Sequence, residues 1–163
     1  MEAIQRQIIE LLPRLRRLAR VLAPTPADAD DLVQITVERA LARQDQWLAG
    51  TRLDSWMFRI MKNAWIDESR ARVRRGGVFA PEEDGQQVGN DGAGEMEARL
   101  AIAEVARAMA KLPEDQRLAV ALVLVEGLSY KEAAEVLEVP QGTLTSRLVR
   151  GRAALIAQLQ EVA

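Results

Sequence analysis

Residues 76–95, GGVFAPEEDGQQVGNDGAGE, split the chain into two halves that cannot share one run of regular structure. The segment is rich in glycine, holds a proline and offers almost nothing apolar to bury. Ordering a backbone costs roughly 1–2 kcal/mol per residue, and this composition has no burial to offset it, so the segment reads as a flexible linker. It is also acidic, because residues 76–98 carry six carboxylates and no basic side chain. A solvated spacer accounts for that composition by itself. The expected organisation is a first domain over 1–75, the linker over 76–95 and a second domain over 96–163.

Both flanks carry helical periodicity. Ile4, Ile8, Leu11, Leu15, Leu18 and Leu22 recur at steps of three and four, as one helix face requires. Pro13 interrupts them and predicts a kink or a restart. Thr25-Pro26-Ala27-Asp28 reads as a helix start, with a cap, a proline at the first position and an acid behind it. Leu32, Val33, Val37, Ala40 and Leu41 continue as a second apolar face. A third helix is expected from Asp54 to Arg74, burying Leu53, Trp56, Met57, Ile60, Met61 and Ala64. Beyond the linker, Ala98 to Lys111 and Glu114 to Val125 are expected helices, and Gly127 supplies a stop. Strand alternation and hairpin dipeptides are absent from these segments, so the fold class is all-α.

The end of the chain is the most specific part. Ser129-Tyr130-Lys131-Glu132 is a capping box opening a short helix with Tyr130, Ala133, Ala134 and Leu137 inward. Glu138-Val139-Pro140 makes a three-residue turn, and a last helix follows from Gln141 to Glu161 with Leu144, Leu148, Leu155, Leu159 and Val162 inward. Two helices joined this way have the layout of a helix-turn-helix. At 100° per residue, Thr143, Ser146, Arg147 and Arg150 share one arc opposite the leucines. Residues 140–155 hold three arginines and no acid, which suits phosphates and base edges in a major groove. A merely solvated face is the bland alternative, and the coincidence of turn, cap and acid-free arc weighs against it.

Composition removes other chemistries. The 163 residues include no cysteine and no histidine, so there is no disulfide, no thiol nucleophile and no thiolate or imidazole metal site. General acid–base work by histidine and Ser-His-Asp triads are excluded as well. Asp28, Asp30 and Asp31 lack the further oxygen ligands and glycine turn of a calcium loop, and no metal or cofactor is expected. No apolar run reaches the roughly 18–20 residues of a membrane span, which predicts a cytoplasmic protein. The net charge of −2 hides +4 over residues 1–75, −6 over 76–98 and zero over 99–163. Residues 59–75 alone carry six basic and two acidic side chains, a cationic helix beside the three tryptophans. Such a surface suits single-stranded DNA, although Trp56 is expected to serve packing.

On these residues the chain resembles the sigma factors of the extracytoplasmic-function (ECF) group, in the sigma-70 family. LPEDQRLAVALVLVEGLSYKEAAEVLEVPQGTLTSRLVRGRAAL, residues 112–155, resembles the reader of the promoter −35 element. DADDLVQITVERAL, residues 28–41, and LDSWMFRIMKNAWIDESRARVRR, residues 53–75, resemble the domain that binds core RNA polymerase and the −10 element. The resemblance implies a factor without catalysis of its own that directs polymerase to promoter DNA, with an anti-sigma factor as a further partner. It implies that Asp31, Leu32 and Gln34 dock the polymerase, that Arg59, Lys62 and Asn63 face the −10 element, and that Thr143, Ser146, Arg147 and Arg150 face the −35 element. The loop Ala49-Gly50-Thr51-Arg52 corresponds to the segment that captures a flipped base, and the acidic linker to a connector threading the polymerase's RNA path.

Three positions depart from the family pattern. Ile35 stands where an acid is usual, Thr145 where a basic residue is common, and Glu138 at a turn position that is often glycine. Glu138 implies local strain if its backbone is left-handed. Asp67 is expected to pair with a neighbouring arginine, since phosphate would repel it. The competing reading is a stand-alone helix-turn-helix regulator, for which residues 28–75 would be dispensable.

Overall fold

Side-chain caps fix the starts of some helices, while others begin with no side-chain cap hydrogen bond. A computed structural model of the chain describes residues 3–76 and 93–162. Helix α1 spans Ala3–Leu22, α2 Pro26–Ala42 and α3 Leu53–Arg74, with a short 3₁₀ turn at Gln44–Gln46. Helix α4 spans Ala93–Ala110, α5 Glu114–Val120, α6 Tyr130–Leu137 and α7 Gln141–Val162. Among the described residues every regular element is helical. Most of the expected linker lies outside the described residues, but its last three positions do not: α4 begins at Ala93, five residues before the expected start.

Thr25 caps α2 as expected. Its hydroxyl oxygen accepts from the Asp28 N–H at 3.1 Å, and its O–H donates to the Asp28 carboxylate at 2.9 Å. Helix α1 runs through Pro13 without a restart, its apolar face carrying Ile8, Leu15, Leu18 and Leu22 into the core. Against them pack Leu32, Thr36 and Ala40 of α2, then Met57, Phe58, Met61 and Trp65 of α3. The buried Thr36 hydroxyl donates to the Leu32 carbonyl at 2.7 Å, which satisfies it without leaving its helix.

In the second half, α5 does not continue to Val125 as an α-helix. It passes into a π-helical turn over Ala121–Val125, with the Glu126 N–H donating to the Ala121 carbonyl at 2.9 Å. Gly127, at φ 74°, then ends the element as expected. The capping box of α6 is present: Glu132 N–H donates to the Ser129 hydroxyl at 3.1 Å, and Ser129 N–H to the Glu132 carboxylate at 2.9 Å. Tyr130 is the exception on this helix. It is 45% exposed, and Val136, not Tyr130, joins Ala133, Ala134 and Leu137 inside. Position 130 is the first residue of α6.

Glu138 ends α6 at φ 58°, ψ 44°, a left-handed conformation, so the condition for strain at this turn is met. A side chain in that region costs roughly 1–2 kcal/mol, most of which glycine avoids. Glu138→Gly should therefore raise the stability of this half by about 1 kcal/mol, read as a higher urea midpoint by circular dichroism. Leu144 and Leu148 of α7 are buried and Leu155 and Leu159 half-buried, as the periodicity predicts; the Val162 side chain lies outside the described residues.

The buried apolar side chains of both halves form one cluster. Helix α4 packs on α1 as well as α7, and α6 packs on α3. The two halves are therefore docked on each other.

Candidate nucleic-acid interface

Exposed cations on a basic helix are what phosphates require, so the first question is where the expected cations point. On α3, Arg59 and Asn63 are exposed, but Lys62 is not: its side chain retains only 7% of its exposure. Burial lowers the Lys62 pKa, the nearby Arg59 adds to this, and Glu138 opposes it. Lys62 Nζ lies 3.9 Å from the Glu138 carboxylate and Arg59 Nε 3.8 Å from its other oxygen. Arg59 also donates to the Glu135 carbonyl at 3.3 Å. Lys62 is thus a correction to its reading as a solvent-facing DNA contact in this arrangement, because α6 lies over it.

The rest of the basic stretch divides by role. Arg72 is held by Asp28 at 2.6 Å and Glu68 at 3.3 Å, which ties α3 to the start of α2. Asp67 pairs with Arg39 of α2 at 3.4 Å, a neighbouring arginine as anticipated. Arg70 and Arg74 are exposed and line a cleft of about 710 Å³ with Lys62 and Arg147. Glu114 and Asp115 form part of the cleft wall, and Asp115 sits 3.6 Å from Arg147.

On α7, Ser146 and Arg150 are exposed while Thr143 and Arg147 are half-buried. Thr145, the departure from a basic residue, donates to the Gln141 carbonyl at 2.9 Å and so serves its own helix. On α2, Asp31 and Gln34 are exposed, Gln34 donating to Glu38 at 3.1 Å. Leu32 does not share that surface. It is 4% exposed within the core, so it supports α2 from beneath and is a correction to its reading as a docking residue. Ile35 is half-buried and packs on the core, which explains an apolar residue there. In the loop before α3, Gly50 takes φ 89° and Thr51 donates to the Leu48 carbonyl at 2.6 Å. Arg52 is committed to Asp54 and to Glu132 of α6.

A charged cluster that the sequence did not signal lies beside these surfaces. The Glu126 carboxylate, with 0% side-chain exposure, accepts from Arg17 twice at 2.9 Å and from Arg14 at 3.2 Å. Arg14 continues to Asp54 at 2.9 Å and lies 5.1 Å over the Phe58 ring. Burial pushes the Asp54 carboxyl up, but hydrogen bonds from Arg52, Arg14 and the Ser55 N–H outweigh it and hold it below the usual carboxylate range. Arg117 of α5 donates to the Leu22 carbonyl at 3.2 Å and the Leu112 carbonyl at 3.0 Å, occupying acceptors at the end of α1 and just beyond α4. Among the described residues, no group of three acidic side chains is placed to hold a metal ion, and no helix is long and apolar enough to cross a membrane.

Comparison with known proteins agrees with this architecture. Residues 102–155 match the family model of sigma-70 region 4, and residues 8–62 match that of the sigma2 domain of PhyR. The chain is 35% identical over 165 aligned positions to the ECF RNA polymerase sigma factor EcfG of Rhodopseudomonas palustris, covering 97% of this chain and 86% of that one. It is 37% identical to the ECF sigma factor SigM of Mycobacterium tuberculosis, covering 87% and 69%. Its structure superposes with a TM-score of 0.82 and 30% identity on the sigma factor RpoE of Bartonella quintana, solved with the anti-sigma factor NepR, over 98% of both chains. The chain belongs to the ECF sigma factors of RNA polymerase, directing transcription as a member of the sigma-70 family.

Proposed function

We propose that the first half, residues 1–75, docks core RNA polymerase through the exposed Asp31 and Gln34 on α2 and meets the −10 element through the exposed Arg59 and Asn63 on α3. The second half, from about residue 96, meets the −35 element through Thr143, Ser146, Arg147 and Arg150 on α7. The observation that carries this reading is α7 itself. It follows a three-residue turn, stands on Leu144 and Leu148, and presents an arginine-bearing, acid-free arc. The chain adds binding surfaces to an enzyme that performs the chemistry, working in the cytoplasm and without a cofactor. The likeness to a sigma factor held by NepR supports an anti-sigma factor as its regulator.

The direct test mixes purified core polymerase with this chain and maps transcript starts across a promoter library. Starts should appear with both components and with neither alone, and failure across the library would refute the reading. Arg147→Ala should cost about 1–3 kcal/mol of −35 binding if the guanidinium reads a base, concentrated on the cognate sequence. An equal loss on all sequences, with a shallower salt dependence, would make Arg147 a phosphate contact. Asn63→Ala should lower starts from duplex promoters while leaving the urea midpoint unchanged, because Asn63 is exposed.

A further inference from the structure

Helix α7 presents to solvent a side chain that the arginine and hydroxyl contacts leave unused. Val149 is 63% exposed, one turn beyond Thr145 and Ser146 and beside the exposed Arg150. At 100° per residue it lies about 40° from Thr145 and about 60° from Ser146 around the helix, outside the arc of Leu144 and Leu148. Single exposed apolar residues are ordinary on a protein surface, so exposure alone assigns nothing. Two further observations do. The Thr145 hydroxyl commits its only proton to the Gln141 carbonyl at 2.9 Å. Thr145 then has no hydrogen to donate outward, and it meets a ligand with a methyl group one turn from the Val149 isopropyl group. The surroundings are cationic, because residues 140–155 hold Arg147, Arg150 and Arg152 and no acid.

In the major groove thymine is the base that offers an apolar group, the methyl on C5, whereas guanine offers two acceptors suited to a cation. We propose that Thr145 and Val149 form an apolar contact for a thymine methyl group of the −35 element, so that this chain selects a T·A pair where a basic residue at 145 would select guanine. The proposal deepens the assignment of α7 to the −35 element and rests on it. Arg150 supplies charge that draws the helix to the duplex, and that attraction is indifferent to sequence wherever it acts on phosphate. The apolar pair gains only where a methyl group faces it. It therefore contributes selectivity and leaves the salt dependence of binding unchanged.

The test uses holoenzyme assembled from core polymerase and the full chain, on a promoter found in the start-site library. Each thymine of the −35 element, on either strand, is replaced in turn by deoxyuridine, which lacks only the C5 methyl group. Binding is compared by competition at fixed salt. The wild type should lose about 4-fold in affinity at one position at least, the worth of one buried methyl group. Thr145→Ser keeps the hydroxyl and removes the methyl, and Val149→Ala trims an exposed side chain; circular dichroism checks that both remain folded. The double variant should no longer distinguish thymine from deoxyuridine at that position, with its salt dependence unchanged. Thr145→Arg should move the preferred base there from thymine to guanine. Equal binding of every thymine and deoxyuridine promoter by the wild type overturns the proposal alone if scrambling the −35 element still abolishes binding. Indifference to that scrambling overturns it through the −35 reading instead. Discrimination that persists in the double variant assigns the methyl contact to other residues and overturns the proposal as well. So does weakened assembly with core polymerase at undiminished discrimination, the result expected of a protein-facing stripe running from Val149 to the half-exposed Ile156.

Discussion

Replacing Gly151 with alanine lowers stability by about 1–3 kcal/mol, and replacing it with leucine lowers it further, by driving α7 away from α5. An alanine in an exposed helix interior would do the opposite and gain about 1 kcal/mol over glycine. Here a Cβ on residue 151 would lie 2.8 Å from Val120 Cγ2, 3.0 Å from the Gln116 carbonyl oxygen and 3.2 Å from Gln116 Cβ. The Val120 side chain is itself packed at 1% exposure, and the carbonyl is backbone, so neither yields cheaply. Gly142→Ala is the control, since nothing lies within 4 Å of its added Cβ. Two probes separate the halves. All three tryptophans lie between residues 47 and 65, so fluorescence reports the first half while circular dichroism reports both. The expected result is a lower urea midpoint by circular dichroism for Gly151→Ala and an unchanged or higher one for Gly142→Ala. Equal midpoints for the wild type and Gly151→Ala would refute the close approach of the two helices.

Glu126→Ala should loosen the docking of the two halves by about 2–3 kcal/mol. Removing one partner of a buried ion pair costs about 3–5 kcal/mol when the survivor stays buried and unpaired. Arg14 and Arg17 are 30% and 51% exposed and Arg14 keeps Asp54, so they regain water and the loss falls below that range. Glu126→Gln should cost less, because it keeps one acceptor and the shape but not the charge. A double-mutant cycle with Arg17→Ala should recover most of the loss as coupling, whereas additive effects would refute the pairing. Acid acts on the adjoining carboxyl. Asp54 has a lowered folded pKa, so its stabilising contribution is present above its unfolded value of about 3.9 and is lost as pH falls through the folded value. The urea midpoint should therefore fall more steeply below about pH 4 in the wild type than in Asp54→Asn.

Much of the molecule was legible because its signals are local. The Thr25 cap, the Ser129–Glu132 capping box, the stop at Gly127 and the left-handed Glu138 depend on neighbours within one or two turns. So does the amphipathic rhythm that sets Leu15, Leu18, Met57 and Leu144 inside. Where local rules met a tertiary surface they misled. Tyr130 sits on the expected face of α6 yet remains exposed, and α4 starts inside a glycine-rich stretch because its downstream turns pack on α1 and α7.

The amino-acid sequence by itself determined an all-helical chain, the segregation of its charge, the three-residue turn before an arginine-bearing helix, and the family these patterns belong to. Only the tertiary structure decided which cations remain available. Lys62 and Arg59 meet a carboxylate 76 or more positions away, and Glu126 meets Arg14 and Arg17 across 112 and 109 positions. Helical periodicity relates residues three and four apart, and it contains no information about partners at such separations. Leu32 and Gly151 follow the same logic. An apolar residue in a charged motif and a glycine inside a helix take their meaning from the helix packed against them, and that is decided by how the whole chain closes.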